Sequence, residues 1–267
     1  RQADDTRRDL RNMATRLQHR GPDGAGFMLA ESGRVGLAQT RLSIVDLEGG
    51  RQPLVSEDGT IILVANGEIY DYHRLRAELE AAGHVFATKS DSEIILHMYE
   101  QYGREFLLRI NGEFAFILWD SRQNITLASR DVFGVKPLFY TFNNGELLLA
   151  SEVKALFAAT SVSRELNPEF FLGPWMGALS RGITPFKNIH ALKPGHFLVA
   201  KLDGSFSEEP YYQTTFVTDN HMTFDDAKVE CRSLLERSVA RRLHADVPIH
   251  IYLCLLYTSD AADDTPC

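Results

Sequence analysis

Cysteine is scarce: three in 267 residues, Cys231, Cys254 and Cys267. So few cannot make a disulfide framework, which excludes the stapled secreted scaffolds and makes a reducing compartment, the cytoplasm, the expectation. Long apolar runs are missing as well. The stretch Phe114-Ala-Phe-Ile-Leu-Trp119 falls far short of the roughly 20 residues that span a bilayer, so no membrane contact is expected. Positive charge is not in excess. The formal net charge is -8, and an acidic surface repels phosphate backbones, so nucleic acid is not an expected partner. Internal repeats, low-complexity stretches and a visible signal peptide are absent, and the first residue is Arg1 rather than Met. What is present is core-forming material. Hydrophobic residues make up 44% and charged residues 24%, enough for one large domain or one with part of another.

Periodicity divides the chain into clusters. Thr6 to Gln18 reads as a helix, with Leu10, Met13, Ala14 and Leu17 on one face and Gly21-Pro22 as its stop. Short strands are expected at 26–29, 35–39 and 61–65, then a helix at 72–82 that Gly83 ends. Asp91 reads as the N-cap of a second helix, 92–102. Strands follow at 114–119, 125–129, 138–142 and 147–150, separated by turn residues. Strands and helices come in groups rather than in strict alternation, which predicts layered α+β with antiparallel sheets under helices. Glu165 to Gly195, with Pro168, Pro174, Pro185 and Pro194, reads as irregular and as the flank of this domain. Beyond Tyr212 a helix is expected over 224–243, capped by Thr223, with Cys231 packed on its apolar face. A buried strand at 249–253 would follow and open a second, α/β domain.

Several residues can carry chemistry. Asn66-Gly67-Glu68 is first of all a hairpin turn, since Asn-Gly between apolar runs is the strongest short hairpin signal. Its functional reading is an oxyanion hole: an Asn amide and the next backbone N–H aimed at one developing oxygen, with glycine admitting the substrate. Glu68 can hold an ammonium group. Arg41 is either a solvated strand-end arginine or a fork for a carboxylate. Asp91 can cap a helix and also bind a ligand, because a carboxylate has two oxygens. Together these five describe an amino-acid pocket that lacks an evident nucleophile.

The motifs His19-Arg-Gly-Pro-Asp-Gly24, Arg41-Leu-Ser-Ile-Val-Asp-Leu47, Asn66-Gly-Glu-Ile-Tyr70, Ser90-Asp-Ser-Glu93, Phe114-Ala-Phe116 and Arg130-Asp131 occur in this order. Gly134-Val-Lys-Pro-Leu138, Ala150-Ser-Glu152 and Lys154-Ala-Leu156 follow. From about Arg8 to Tyr212 the chain resembles the glutaminase domain of glutamine-hydrolysing asparagine synthetases. The resemblance implies an N-terminal-nucleophile hydrolase fold, a four-layer α-β-β-α sandwich over residues 1–212, and a first-residue cysteine as nucleophile. The free α-amino group would serve as its base. Carried over, Asn66 and Gly67 stabilise the oxyanion while Arg41, Glu68 and Asp91 bind glutamine. The full-length enzyme would use ATP, Mg2+ and aspartate and form a homodimer, whereas the glutaminase domain needs no metal or cofactor.

The resemblance breaks at both ends. The family opens with Met-Cys-Gly, whereas Arg1 stands just before the first helix, so the chain as it stands is expected to release no ammonia. Residues 213–253 resemble the start of the ATP-pyrophosphatase domain, with Leu253 leading into its nucleotide loop. At 254–267 the expected Ser-Gly-Gly-x-Asp-Ser is replaced by a string that resembles a sequencing-adapter translation. Asp260, Asp263 and Asp264 are accordingly not read as a metal site. Two other functions stay open: an amidotransferase for another acceptor (sugar, peptide or β-lactam precursor), and a pseudo-glutaminase without a nucleophile.

Overall fold

The computed structural model describes residues 3–47, 49–143, 145–159, 161–172, 182–218 and 221–249. Helix α1 (Ala3–Leu17) opens the chain, with Asp4 and Asp5 in its first turn and Arg16 in its last, charges that suit the helix dipole. The antiparallel hairpin β1 (Gly24–Ala30) and β2 (Val35–Arg41) follows. Next come β3 (Leu54–Val55) and β4 (Ile61–Ile69), then α2 (Tyr72–Ala81) and α3 (Glu93–Tyr102). The antiparallel pair β5 (Gly112–Asp120) and β6 (Ile125–Arg130) is succeeded by β7 (Phe139–Asn143) and β8 (Glu146–Ala150). Two short helices, α4 (Val153–Leu156) and α5 (Pro168–Leu172), precede β9 (His190–Ala191), β10 (His196–Lys201) and β11 (Phe206–Pro210). Helix α6 (Phe224–Arg242) comes last.

The strands form a six-stranded sheet in the order β11-β10-β6-β5-β4-β3, a three-stranded sheet β8-β7-β9, and the pair β1-β2, all antiparallel. The apolar run of β5 shows why the large sheet is covered on both faces. Phe114, Phe116 and Leu118 face α2 and α3, meeting Leu75, Leu79, Ile94, Ile95 and Met98. Ala115 and Ile117 face the other way, against Leu138 and Tyr140. Successive side chains on a strand alternate sides, so a continuous apolar run means two buried faces. Trp119, Ile62 and Val64 pack on Leu37 of β2. The outermost layer is α1 with α4, whose Met13, Ala155 and Leu156 pack with Ala150 of β8. The order is therefore helices, six-stranded sheet, a second β layer in two pieces, helices.

Several expectations need correction. Asn66-Gly67 is not a hairpin turn. It lies inside β4, which runs four residues past the expected end at Ala65 and stays paired with β5 as far as Ile69 opposite Gly112. Asp91 is not the N-cap of α3. The helix begins at Glu93, Ser92 takes the cap position without a side-chain bond, and the Asp91 carboxylate accepts Ile69 N–H instead. The segment Glu165 to Gly195 does not merely flank the domain, because it contributes β9, and β10 just after it enters the six-stranded sheet beside β6. Thr223 does cap α6, accepting from Asp226 N–H. That helix buries no residue, however, and Cys231 is exposed rather than packed. Ile249 is exposed, and the rest of the expected strand, Leu253 and the 254–267 tail lie outside the described residues. Among the described residues no helix is long and apolar enough to cross a membrane.

Candidate active site

Between the two β layers opens a cavity of about 550 Å³, within the range of small-molecule sites. Arg41, Asn66, Gly67, Glu68 and Asp91 all line it, although they span 51 positions of sequence. Strand β4 supplies three of them. Gly67 pairs with Phe114, whose carbonyl is already occupied by Asp131 N–H. The two residues are therefore a non-hydrogen-bonded pair, and the Gly67 N–H faces away from β5. On that same edge Ala65 N–H donates to Gln52 Oε1 at 2.7 Å and Ile69 N–H to Asp91 Oδ2 at 2.7 Å. The Gly67 amide between them is taken by no side chain among the described residues. Glycine is required here: φ is +141°, and a Cβ would stand 1.9 Å from the Glu113 carbonyl oxygen.

Asn66 supplies the second donor. Its side-chain nitrogen is buried with no hydrogen-bond partner. A buried donor left unmet costs about 1–3 kcal/mol, which a fold tolerates where a ligand completes the bond. Two hydrogen-bond donors, one side-chain and one main-chain, thus stand on neighbouring residues at the cavity.

The acidic side is held under strain. Burial, then Glu113, then Asp91 push the Glu68 carboxyl above its ordinary range. Burial also raises the Asp91 carboxyl, against the Ile69 N–H bond that favours its charged form. A cationic group between them would relieve both. Lys136 also lines the cavity but is paired with Glu113 at 2.7 Å.

Arg41 is engaged by its own loop. Its guanidinium donates to the carbonyls of Val45 at 3.0 Å, Asp46 at 2.5 Å and Leu47 at 3.1 Å. Those three bonds are fewer than the five N–H groups a guanidinium carries. Asp46 closes the same loop, accepting from Gly49 and Lys89 N–H. Other motif residues build walls. His19, Arg20 and Lys154 converge on the Glu152 carboxylate. Arg130 donates to the carbonyls of Gly134, Lys136 and Leu192, while Asp131 accepts from Phe133, Val135 and Lys136 N–H. Gln52 and Lys136 line the cavity but are not marked as site residues in the sequence: Gln52 has no local pattern, and Lys136 is visible only as part of the Gly134-Val-Lys-Pro motif.

A glutamine amidotransferase domain model matches residues 1–212. The chain belongs to the glutamine amidotransferase family. Among curated relatives, this amidotransferase is similar to asparagine synthetase [glutamine-hydrolyzing] 2 of Bacillus subtilis, at 37% identity over 91% of this chain and 34% of that one. It is equally similar to amidase chry2 of Gibberella zeae, at 37% identity over 89% of this chain and 35% of that one. The chain thus spans about a third of the length of these relatives. Among solved structures it is similar to glutamine phosphoribosylpyrophosphate amidotransferase from B. subtilis, with a TM-score of 0.57 and 19% identity, covering 76% of this chain and 46% of that one. The likeness is one of fold, and the layers of this chain run α-β-β-α as expected.

Proposed function

We propose that the cavity binds glutamine and hydrolyses its side-chain amide, as the ammonia-producing part of an asparagine-synthetase-type enzyme. The observation that carries this reading is the Asn66 side-chain nitrogen, buried and unbonded beside the open Gly67 amide. As a nucleophile adds to the amide carbon, the carbonyl oxygen becomes negative, and two fixed donors aimed at it stabilise that charge. Asp91 and Glu68 take the α-ammonium, whose positive charge favours the ionised form that burial opposes in both. Arg41 turns remaining N–H groups to the α-carboxylate while holding its loop. No cysteine lines the cavity among the described residues, and the resemblance implies that the attacking thiolate belongs to a first-residue cysteine. Ammonia then leaves and water releases glutamate. ATP, Mg2+ and the acceptor aspartate belong, in this reading, to a region beyond the described residues. The similarity to a fungal amidase at the same identity favours a second reading in which the acceptor is not aspartate.

The test has two arms. Calorimetric titration of the 267-residue chain with L-glutamine should show binding that Asn66→Ala and Asp91→Asn weaken. Ammonia release by the product of the complete open reading frame should need its first-residue cysteine. Glutamine that binds equally well to both variants sinks the site assignment. Absence of ammonia from a folded complete protein favours the pseudo-glutaminase. Aspartate that fails to consume the ammonia, with ATP and Mg2+ present, supports the other acceptor.

A further inference from the structure

Away from the cavity, one group of metal-ligating side chains comes together among the described residues: His84, His97 and Glu100, with one ligand atom of each inside a 4.8 Å span. Rigid elements hold all three. His97 and Glu100 are three apart on α3 and so share a face. His84 sits just past the end of α2, where Gly83 at φ +100° lets the chain turn. There His84 N–H bonds Leu79 O, and Gly83 N–H bonds Glu80 O. This paired closure fixes the backbone of His84 relative to the helix.

The donor geometry is specific. Glu100 Oε2 lies 3.1 Å from His97 Nδ1 and 3.6 Å from His84 Nδ1. Ligands of a tetrahedral zinc ion, bound at about 2.0–2.1 Å, stand roughly 3.3 Å from one another. The two imidazoles therefore present the same nitrogen to one carboxylate at close to the spacing of a coordination edge. Their other nitrogens are held as well: His84 Nε2 meets Gln101 Oε1 at 3.0 Å, and His97 Nε2 meets Glu93 Oε1 at 3.4 Å. An acceptor behind each imidazole orients its ring, so that the opposite nitrogen, which in His97 is hydrogen-bonded to Glu100, is the one an ion would take in place of a proton. Glu93 is itself pinned by the N–H groups of Ala87 and Thr88. Phe86 packs on the His97 ring at 4.3 Å. His97 is buried, while His84 and Glu100 are partly open to solvent, from which a water would supply the fourth ligand of a bound ion.

We propose that His84, His97 and Glu100 form a binding site for a tetrahedral divalent transition ion, zinc foremost. The ion would tie the end of α2 to α3. The segment it closes, 85–92, carries Ser90 and Asp91 of the cavity, so the site fastens the frame of the pocket without entering it. The proposal does not depend on glutamine as substrate.

The test is titration of the chelator-stripped 267-residue chain with ZnCl2 alone, by calorimetry and thermal unfolding, with Co2+ absorption as the probe of geometry. Expected are one equivalent of zinc bound, a rise in Tm, and Co2+ bands of four-coordinate intensity. His84→Ala should weaken zinc by about 100-fold or more, and Gln101→Leu, which touches only the far nitrogen, by about 10–100-fold. Glu100→Gln, the variant least able to disturb the fold, should lose most of the affinity. The other histidine cluster, where His244 meets Tyr72 and His73, is the control, and His244→Ala should bind zinc as the wild type does. Absence of zinc uptake at micromolar concentration overturns the site. So does uptake that survives Glu100→Gln and His84→Ala, or uptake that His244→Ala removes.

Discussion

The open edge of β4 and the loop 130–136 use the same kinds of residue to opposite ends. In the loop every strong group is met: Asp131 is buried and accepts three backbone N–H groups, and Arg130 donates to three carbonyls. At the β4 edge an amide nitrogen is buried without a partner, a backbone N–H is left open, and two carboxyls are pushed upward by burial. Saturated bonds make architecture. Groups held ready but unmet mark the place where something else must bind.

The largest effect should come from the saturated side. Asp131→Ala removes a buried carboxylate that accepts from three part-buried N–H groups and should cost about 3–5 kcal/mol, since a hydrogen bond to a charged group contributes about 1.5–3 kcal/mol. Thermal unfolding should show a fall in Tm of roughly 6–20 °C for a domain of this size. A fall no larger than that of Asn66→Ala would erase the distinction.

Asn66→Ala should do the reverse. It removes an unmet donor, so Tm should hold or rise. Glutamine turnover by the complete protein should fall by about 100- to 1000-fold, the usual weight of one oxyanion donor. Steady-state ammonia release reads this directly, and unchanged kcat would remove Asn66 from the chemistry.

Gly67→Ala comes next and blurs the two classes. The added methyl meets the Glu113 carbonyl and an adverse φ, so urea denaturation should give a loss of about 2 kcal/mol alongside weaker glutamine binding.

The smallest effect carries a sign in pH. Asp91→Asn keeps an oxygen for Ile69 N–H but removes a buried charge. A carboxyl raised above its ordinary value of 3.8 opposes folding once ionised. That penalty is absent below the unfolded value, grows as pH rises through the window above it, and is complete above the folded value. The variant should therefore match the wild type in Tm near pH 3 and exceed it at pH 7, while binding glutamine about 10-fold less tightly. A Tm deficit at pH 7 would make Asp91 a structural residue like Asp131.

Much was legible in the one-dimensional pattern. Helix α1, the apolar run of β5 and the Thr223 cap depend on neighbours within a few residues, and such local preferences act before any tertiary contact exists. The five candidate site residues were also named from residue type and motif order. What those residues do locally was decided only by the fold. Asn66-Gly67 has every local reason to turn, yet Ala115 and Phe114 across the ladder hold it in a strand. That pairing is also what leaves the Gly67 amide unbonded. Asp91 has every local reason to cap α3, but Ile69, 22 positions earlier, takes its carboxylate. Arg41 was read for a ligand, and its own loop holds three of its bonds. The gathering of His84 with His97 and Glu100 has no sequence signature, because its spacing is set by the packing of α2 on α3. A hydrogen bond is worth little net against water, so local preference yields wherever burial elsewhere offers a better partner.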